Sequence, residues 1–291
     1  MNVKSIFIFV LFAVNQCYSA HILALVLYGS KNHRTSLFPV LKELAQRGHN
    51  VTFVTPFKSA EEVQGLREIE IKNLLFASSK FNFNWFEINR INTVVMNVML
   101  LKSLPVILEP ILDLLMNNVE LQEVLKNQQV NLVILDDSYH EFCLPLIDYL
   151  GAPFIMHSPS TGQPWTWNAI GASQELATSP VRFTSYNNEM VFRERLYNTI
   201  LSVVLQFVRN FILIPNMDTI NQKYFPNARP ISVIEKEASL LFVAGKVESS
   251  WARLLPPTAI PLGALQVRAA QPLPQVVILV SIMSLPQQHS Q

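Results

Sequence analysis

One stretch of the chain constrains the fold more than any other: residues 20–56, AHILALVLYGSKNHRTSLFPVLKELAQRGHNVTFVTP. The stretch starts with a continuous apolar run, typical of a strand buried on both faces of a parallel sheet. Residues 31–35 follow as a predicted polar loop, and a β-branched strand begins at Asn50. Apolar residues recur at helical spacing between them: Leu37, Val40, Leu41 and Leu44. Strand, helix and strand in this order predict a βαβ unit and therefore a parallel sheet.

A second unit of the same kind strengthens this prediction. A helical stripe is formed by Leu108, Ile111, Leu115 and Val119. It is followed by a strand (NLVILDD), a helix (HEFCLPLIDYLG), a second strand (APFIMH) and, much later, a last strand (ASLLFVAG). Between the last two strands, a long helix carries one apolar face: Leu196, Ile200, Val203, Phe207 and Phe211. Alternating helices and strands predict an α/β fold with a doubly wound, Rossmann-like parallel sheet.

The composition divides the chain into three parts. Residues 1–19 combine one lysine, an apolar stretch and small residues near the end, which predicts a signal peptide and entry into the secretory pathway. Residues 20–253 form the predicted sheet domain, and residues 254–291 begin as a linker rich in proline and alanine. Removal of the leader would leave Cys143 as the one cysteine, so we expect no intrachain disulfide. Asn50 begins a glycosylation sequon that overlaps a predicted strand.

Several function classes are disfavoured. The net charge of +1 is spread without a basic stripe, so we expect no nucleic-acid partner. Glycine-rich nucleotide fingerprints are absent from the sequence, and His140 and His157 lack metal-ligand spacing, so we expect no metal. Arginines at 193, 195 and 209 interrupt the long apolar helix, and we expect no transmembrane helix in the mature chain.

His33 and the aspartates that end NLVILDD are the candidates for chemistry. His33 follows one predicted parallel strand and the aspartates end another, and ligands of open α/β sheets bind at the carboxyl ends of the strands. A histidine can take a proton from a hydroxyl near neutral pH when a carboxylate orients its other nitrogen. There is no G-x-S-x-G elbow, and Cys143 lies on an apolar helical face, so the substrate's own hydroxyl would attack. The alternatives are that His33 is a solvated loop residue and that Asp136 and Asp137 cap the next helix.

Four segments of the chain resemble, in order, the amino-terminal half of animal UDP-glycosyltransferases of the UDP-glucuronosyltransferase type. They are residues 20–56, NLVILDDSYHEFCLPLIDYLGAPFI, MVFRERLYNTI and IPLGALQVRAAQPLPQ. The resemblance implies the GT-B architecture, in which two Rossmann-like domains face each other. The first holds the acceptor and the second mainly holds the nucleotide sugar. Residues 20–253 would then be the acceptor-binding domain, and residues 254–291 the interdomain linker and the truncated start of the donor domain.

The resemblance also implies roles for residues. His33 would deprotonate the acceptor hydroxyl, and Asp137 rather than Asp136 would orient it. A sugar such as glucuronate or glucose would pass from a UDP-sugar to a small lipophilic acceptor with inversion at the anomeric carbon. The UDP-sugar is a co-substrate, and no cofactor is implied.

The sequence departs from this family's pattern in its last part. The donor signature HxGxxS, the single membrane anchor and its basic tail are not found in the 291 residues. We therefore expect a truncated enzyme of the endoplasmic reticulum lumen with little or no activity alone, able to form homo- or hetero-oligomers with full-length relatives. The alternative is a non-catalytic lumenal acceptor-binding or regulatory partner of such enzymes.

Overall fold

The computed structural model describes residues 19–28, 30–72, 93–127, 129–138, 140–160, 162–172, 175–181, 184–244, 255–263, 265 and 267. The signal peptide predicted over residues 1–19 lies outside them except for Ser19, as does most of 254–291. The described strands are β1 (His21–Leu25), β2 (Asn50–Thr55), β3 (Leu66–Glu70), β4 (Leu132–Asp136), β5 (Phe154–Ser158), β6 (Leu240–Ala244) and β7 (Ala259–Leu262).

The described helices are α1 (Lys31–Gln46), α2 (Thr93–Met116), α3 (Val119–Asn127), α4 (Leu144–Leu150), α5 (Pro164–Ala169), α6 (Phe192–Val208), α7 (Ile214–Asn221) and α8 (Ile231–Ile234). Two 3₁₀ turns, His140–Cys143 and Glu235–Glu237, precede α4 and follow α8. A π-helical turn, Arg209–Leu213, joins α6 to α7.

The described strands form one seven-stranded sheet in the order β3-β2-β1-β4-β5-β6-β7. Every neighbouring pair is parallel. The chain passes from β1 to β2 on one side and from β4 to β5 on the other, so the order reverses between β1 and β4. This confirms the predicted doubly wound, Rossmann-like sheet.

Side-chain alternation gives the two faces of the sheet different partners. Ile22 and Ala24 of β1 and Ile134 of β4 pack with the buried face of α1. Leu23, Leu25, Val133 and Leu135 point to the opposite face, where most of the other described helices pack. Because β1 and most of β4 are buried on both faces, each residue's position in the alternation decides which helix it meets.

The apolar stripe of α6 lies on the surface. Its members and their continuation in the π turn are between 50% and 67% exposed: Leu196, Ile200, Val203, Phe207 and Phe211. The buried face of α6 is partly polar, since Asn198 accepts a hydrogen bond from the Val181 N–H at 2.7 Å and donates to the Ser179 carbonyl at 3.1 Å. The helix is therefore attached to the domain partly through an asparagine.

The continuous helical segment Phe192–Asn221 is long and apolar enough to cross a membrane, judged by length and composition only. Core helices of soluble proteins satisfy the same criterion, and part of this segment is buried in the domain. The expectation of no transmembrane helix in the mature chain therefore remains a prediction.

Three of the sequence-based boundaries differ in the structure as follows. The polar loop predicted over residues 31–35 is wrong, because α1 begins at Lys31. The helical stripe that was extended to Val119 ends with α2 at Met116, and Val119 begins a separate helix. β7 lies inside the predicted linker and pairs with β6, so the sheet continues beyond residue 253.

Candidate active site

His33 lies in the first turn of α1. The Ser30 hydroxyl accepts a hydrogen bond from the Asn32 N–H at 3.3 Å, and the Ser30 carbonyl accepts one from the His33 N–H at 3.0 Å. Ser30 thus caps the helix and starts it within the polar run that was predicted as a loop. The His33 side chain is 21% exposed, so the ring is anchored at a helix end yet accessible.

Asp136 is the carboxylate that meets His33. It is the last residue of β4, its side chain is 2% exposed, and its two oxygens lie 3.1 Å and 3.2 Å from His33 Nδ1. The Ser138 N–H donates to Asp136 Oδ1 at 3.0 Å. Because β1 and β4 are neighbours, the pair forms where the strand order reverses. The prediction that a strand-end aspartate and His33 come together is confirmed.

Asp137 does not make this contact, and the choice of Asp137 over Asp136 as the partner of His33 is wrong. Its Oδ2 accepts a hydrogen bond from the Thr166 hydroxyl of α5 at 3.2 Å. Successive side chains point to opposite sides of a strand, so Asp136 lies on the side of Ile134 and α1, whereas Asp137 lies on the other side.

The two carboxyl groups also differ in acidity. Burial alone would raise the pKa of Asp136, but the adjacent imidazoles of His157 and His33 favour the carboxylate form, outweigh burial and hold this pKa below its usual range. Burial raises the pKa of Asp137 to about 6, and the charge of Asp136 adds to this rise. Asp136 is therefore the ionised carboxylate beside the histidine.

A second histidine approaches Asp136 from β5. His157 is the ladder partner of Asp136 and is 1% exposed. Its Nδ1 lies 3.6 Å from Asp136 Oδ2, and its Nε2 lies 3.4 Å from the Ser36 hydroxyl oxygen. The Ser36 hydroxyl donates to the His33 carbonyl at 2.9 Å. The contacts close a ring through His33, Asp136, His157 and Ser36, which we call the base ring.

On the other side of the β4 terminus lies a buried group of ions, which we call the arginine cluster. Arg209 of the π turn donates to Glu141 at 3.0 Å and to Glu235 at 2.5 Å. His140 Nε2 lies 2.9 Å from Glu235, and the Arg209 guanidinium lies 5.1 Å from the ring centroid of Trp165. The arginine cluster pairs two cationic side chains with two acids, so its charges balance.

The acidities within the arginine cluster follow from this pairing. Burial alone would lower the pKa of His140, but the charge of Glu141 and the contact with Glu235 outweigh it and raise the pKa to about 9. Burial opposes ionisation of Glu235, yet His140 and Arg209 lower its pKa to about 2. Nothing in the sequence pattern links residues 140, 141, 209 and 235, so sequence reasoning missed this cluster.

Two other candidate chemistries, metal binding and cysteine nucleophilic catalysis, lack a suitable site among the described residues. No group of three or more His, Cys, Asp or Glu side chains there is arranged to hold a metal ion. Cys143 is buried, and burial raises the pKa of its thiol well above the usual value, which makes it a poor nucleophile.

Comparison with known proteins identifies the family. The family described as "UDP-glucoronosyl and UDP-glucosyl transferase" matches residues 22–282. The chain belongs to this family. The UDP-glycosyltransferase UGT5 of Dactylopius coccus is 24% identical over 279 residues, which cover 90% of this chain and 50% of UGT5. The UDP-glucuronosyltransferase 3A2 of Mus musculus is 26% identical over 164 residues, 55% of this chain and 30% of that protein.

Among solved structures, the calicheamicin glycosyltransferase CalG4 matches with a TM-score of 0.40 and 15% identity, over 77% of this chain and 46% of CalG4. This member of the UDP-glycosyltransferase family spans about half the length of UGT5. The base ring and the arginine cluster both lie within the matched residues 22–282.

Proposed function

We propose that this chain is the acceptor-side part of a UDP-glycosyltransferase and that His33 is its general base. The His33–Asp136 pair at the reversal point of the sheet carries the proposal. Family membership supplies the reaction class, and the accessible ring with a buried carboxylate behind it supplies the base.

The proposed reaction follows from the donors of this pair. His33 Nδ1–H donates to Asp136, which leaves the lone pair on Nε2 to take the proton of the acceptor hydroxyl. The acceptor oxygen forms a bond to the anomeric carbon of the UDP-sugar while the bond from that carbon to the phosphate oxygen breaks, so UDP leaves and the configuration is inverted. Asp136 stabilises the imidazolium that forms. Asp137, which contacts Thr166 instead, takes no part in this step.

The substrates follow from the family. We propose a small lipophilic hydroxyl compound as acceptor and a UDP-sugar carrying glucose or glucuronate as donor, with no further cofactor. Holding two reactants together can account for roughly 7–11 kcal/mol of a reaction barrier. If the donor is held mainly by a part of the protein like the remaining half of the relatives, these 291 residues alone transfer sugar very slowly.

The test measures the accessibility of His33 and sugar transfer together. Diethyl pyrocarbonate modifies imidazoles, and peptide mass spectrometry reads each site. We expect the phenol 1-naphthol to slow modification of His33 but not of His49. His49 is an internal control, since its ring accepts the Ala20 N–H at 3.3 Å beside the amino end of β1. With radiolabelled UDP-glucose or UDP-glucuronate, we expect little or no transfer by the chain alone.

Each outcome is informative. Transfer that disappears in His33→Ala would support the base and contradict the low activity. Protection of His33 without transfer supports the acceptor side. Equal modification rates with and without 1-naphthol, together with no transfer, would overturn the proposal.

The exposed apolar stripe of α6 favours a second candidate, a non-catalytic lumenal partner of full-length relatives. Copurification with a full-length relative, lost when Ile200 and Val203 are changed to Asp, would support it. Both candidates place the chain in the endoplasmic reticulum lumen, which glycosylation at Asn50 in secretory cells would support.

A further inference from the structure

We propose that His157 is a positioning residue for the base, donating Nδ1–H to Asp136 so that the carboxylate is shared between two imidazoles. The role presupposes the proposed function of His33 and adds a residue to it. His157 and Ser36 were not among the predicted site residues.

The first argument is the strand register. β4 and β5 are parallel neighbours, and Asp136 and His157 are partners in their ladder. Both side chains therefore project on the same side of the sheet, the side covered by α1. α1 carries His33 and, three residues on, Ser36, which contacts the far nitrogen of His157. The fold thus brings both imidazoles to one carboxylate.

The second argument is the count of protons in the base ring. If the Ser36 hydroxyl donates to the His33 carbonyl, its oxygen accepts from His157 Nε2–H, and an unprotonated Nδ1 would then oppose the carboxylate. If the hydroxyl instead donates to Nε2, the neutral ring carries its proton on Nδ1. The second arrangement places the proton of the neutral ring on Nδ1, facing the Asp136 carboxylate. The first sets the lone pairs of Nδ1 and of the carboxylate against each other, so the second is favoured.

The third argument is burial. His157 Nδ1 is inaccessible to solvent, and no group in the described parts of the chain lies within hydrogen-bond distance of it. Asp136 Oδ2 at 3.6 Å is the acceptor that it approaches. A small closing movement of this contact would satisfy both groups, and buried polar groups in folded proteins are almost always satisfied.

The consequence concerns the strength of the base. A carboxylate that served His33 alone would favour the imidazolium, which cannot accept a proton. Sharing the negative charge with His157 weakens that preference and keeps His33 available as a neutral base. A further titratable group, Asp137, is coupled to this site. The charge of Asp136 raises the pKa of Asp137, and the charges of His140 and His157 favour the ionised form of Asp137.

The test follows imidazole resonances of the full chain labelled with ¹⁵N-histidine. Long-range ¹H–¹⁵N spectra report the tautomer of each ring, and a pH series reports its titration midpoint. In His157→Phe, we expect the midpoint of His33 to move upward. His157→Asn keeps an N–H donor near the position of Nδ1 and should restore the midpoint toward that of the wild type. Ser36→Ala should move it upward by less.

The matched control is His21→Phe. His21 is buried in β1, where its Nε2 lies 3.0 Å from the Thr52 hydroxyl oxygen. It is the first residue of β1, whereas His33 lies beyond the carboxyl end of this strand. This variant should leave the midpoint of His33 unchanged. An unchanged midpoint in both His157→Phe and Ser36→Ala, or a wild-type His157 protonated on Nε2 only, would overturn the proposal.

If His157→Phe does not fold, Ser36→Ala and the tautomer of the wild-type His157 ring still decide the question. The measurement needs neither donor nor turnover. If the His33 midpoint depends on His157 but 1-naphthol does not protect His33, the role of His157 stands and the proposed function fails. If 1-naphthol protects His33 but the midpoint does not depend on His157, the proposed function stands and the role of His157 fails.

Discussion

The base ring and the arginine cluster lie on opposite sides of one strand end and use buried charge differently. In the arginine cluster, Arg209, Glu141, Glu235 and His140 are all buried, and the two cations balance the two acids. In the base ring, a buried carboxylate is opposed by histidines, and one of these, His33, is partly exposed. The full burial of its balanced charges suits the arginine cluster to a structural role, and the partly exposed ring of His33 suits the base ring to the proposed proton transfer.

The largest expected effect is the loss of the central cation in the arginine cluster. Arg209→Met leaves Glu141 and Glu235 buried without their guanidinium, and breaking a buried ion pair in this way costs about 3–5 kcal/mol. Urea unfolding followed by circular dichroism measures the loss. Arg229→Met is the control, because Arg229 pairs with Glu237 at the surface and should lose far less. Equal losses would contradict the structural role of the arginine cluster.

The next effect is a fall in stability at alkaline pH. The pKa of His140 is raised from 6.5 to about 9 in the folded state. Protonated His140 therefore stabilises the fold fully at pH values below its pKa of 6.5 in the unfolded chain, and this stabilisation is lost as the pH rises through 9. At 1.36 kcal/mol per pKa unit, the loss reaches up to about 3.5 kcal/mol. Unfolding free energies between pH 6 and 9.5 measure it, and the slope should be absent in His140→Asn.

Asp137→Asn should give a somewhat smaller effect of opposite sign. The pKa of Asp137 is raised from 3.8 to about 6, so ionisation of Asp137 destabilises the fold, and this cost is complete above pH 6. Replacing the carboxyl with a neutral amide should therefore stabilise the chain at pH 7.5 by up to about 3 kcal/mol, and the gain should vanish near pH 4. If Asp137→Asn instead destabilised the chain at pH 7.5, the ionised carboxylate of Asp137 would have a partner that stabilises it, and this prediction would be wrong.

The smallest effect is expected for His33→Ala. Asp136 keeps the Ser138 N–H and the neighbouring His157, so the unfolding free energy should fall by about 1–2 kcal/mol, less than for Arg209→Met. The same urea titration measures it. A loss as large as that of Arg209→Met would remove the distinction between the two groups.

The sequence predicted the parallel sheet because apolar residues form continuous runs in the strands and recur at helical spacing in the segments between them. The predicted strand AHILALVL contains β1, and NLVILDD contains β4. β3 was missed because LREIE is short and charged, and β7 because AIPL lies in a proline-rich stretch. The local signals for strand formation are weak at both edges of the sheet, where pairing with β2 or β6 stabilises the strand instead.

The site was predicted in outline, and its errors have physical causes. His33 was placed at the correct strand end but in a loop, because Ser30 was not recognised as a helix cap. Asp137 was preferred over Asp136 on resemblance, although alternation along β4 places Asp136 on the side of Ile134 and α1. The same alternation could have placed His157 beside Asp136, once their register was known. The arginine cluster joins residues far apart in the chain, so no local pattern could reveal it.

The pairing of Asp136 with His157 in one ladder makes the site sensitive to the length of the chain between them. If β5 slipped by one residue against β4, His157 would turn to the opposite face, and Met156 or Ser158 would take the place opposite Asp136. An insertion or deletion between residues 137 and 153 that changed this alignment would alter the proton chemistry without touching either side chain. Relatives that differ in length there would need another way to support their carboxylate.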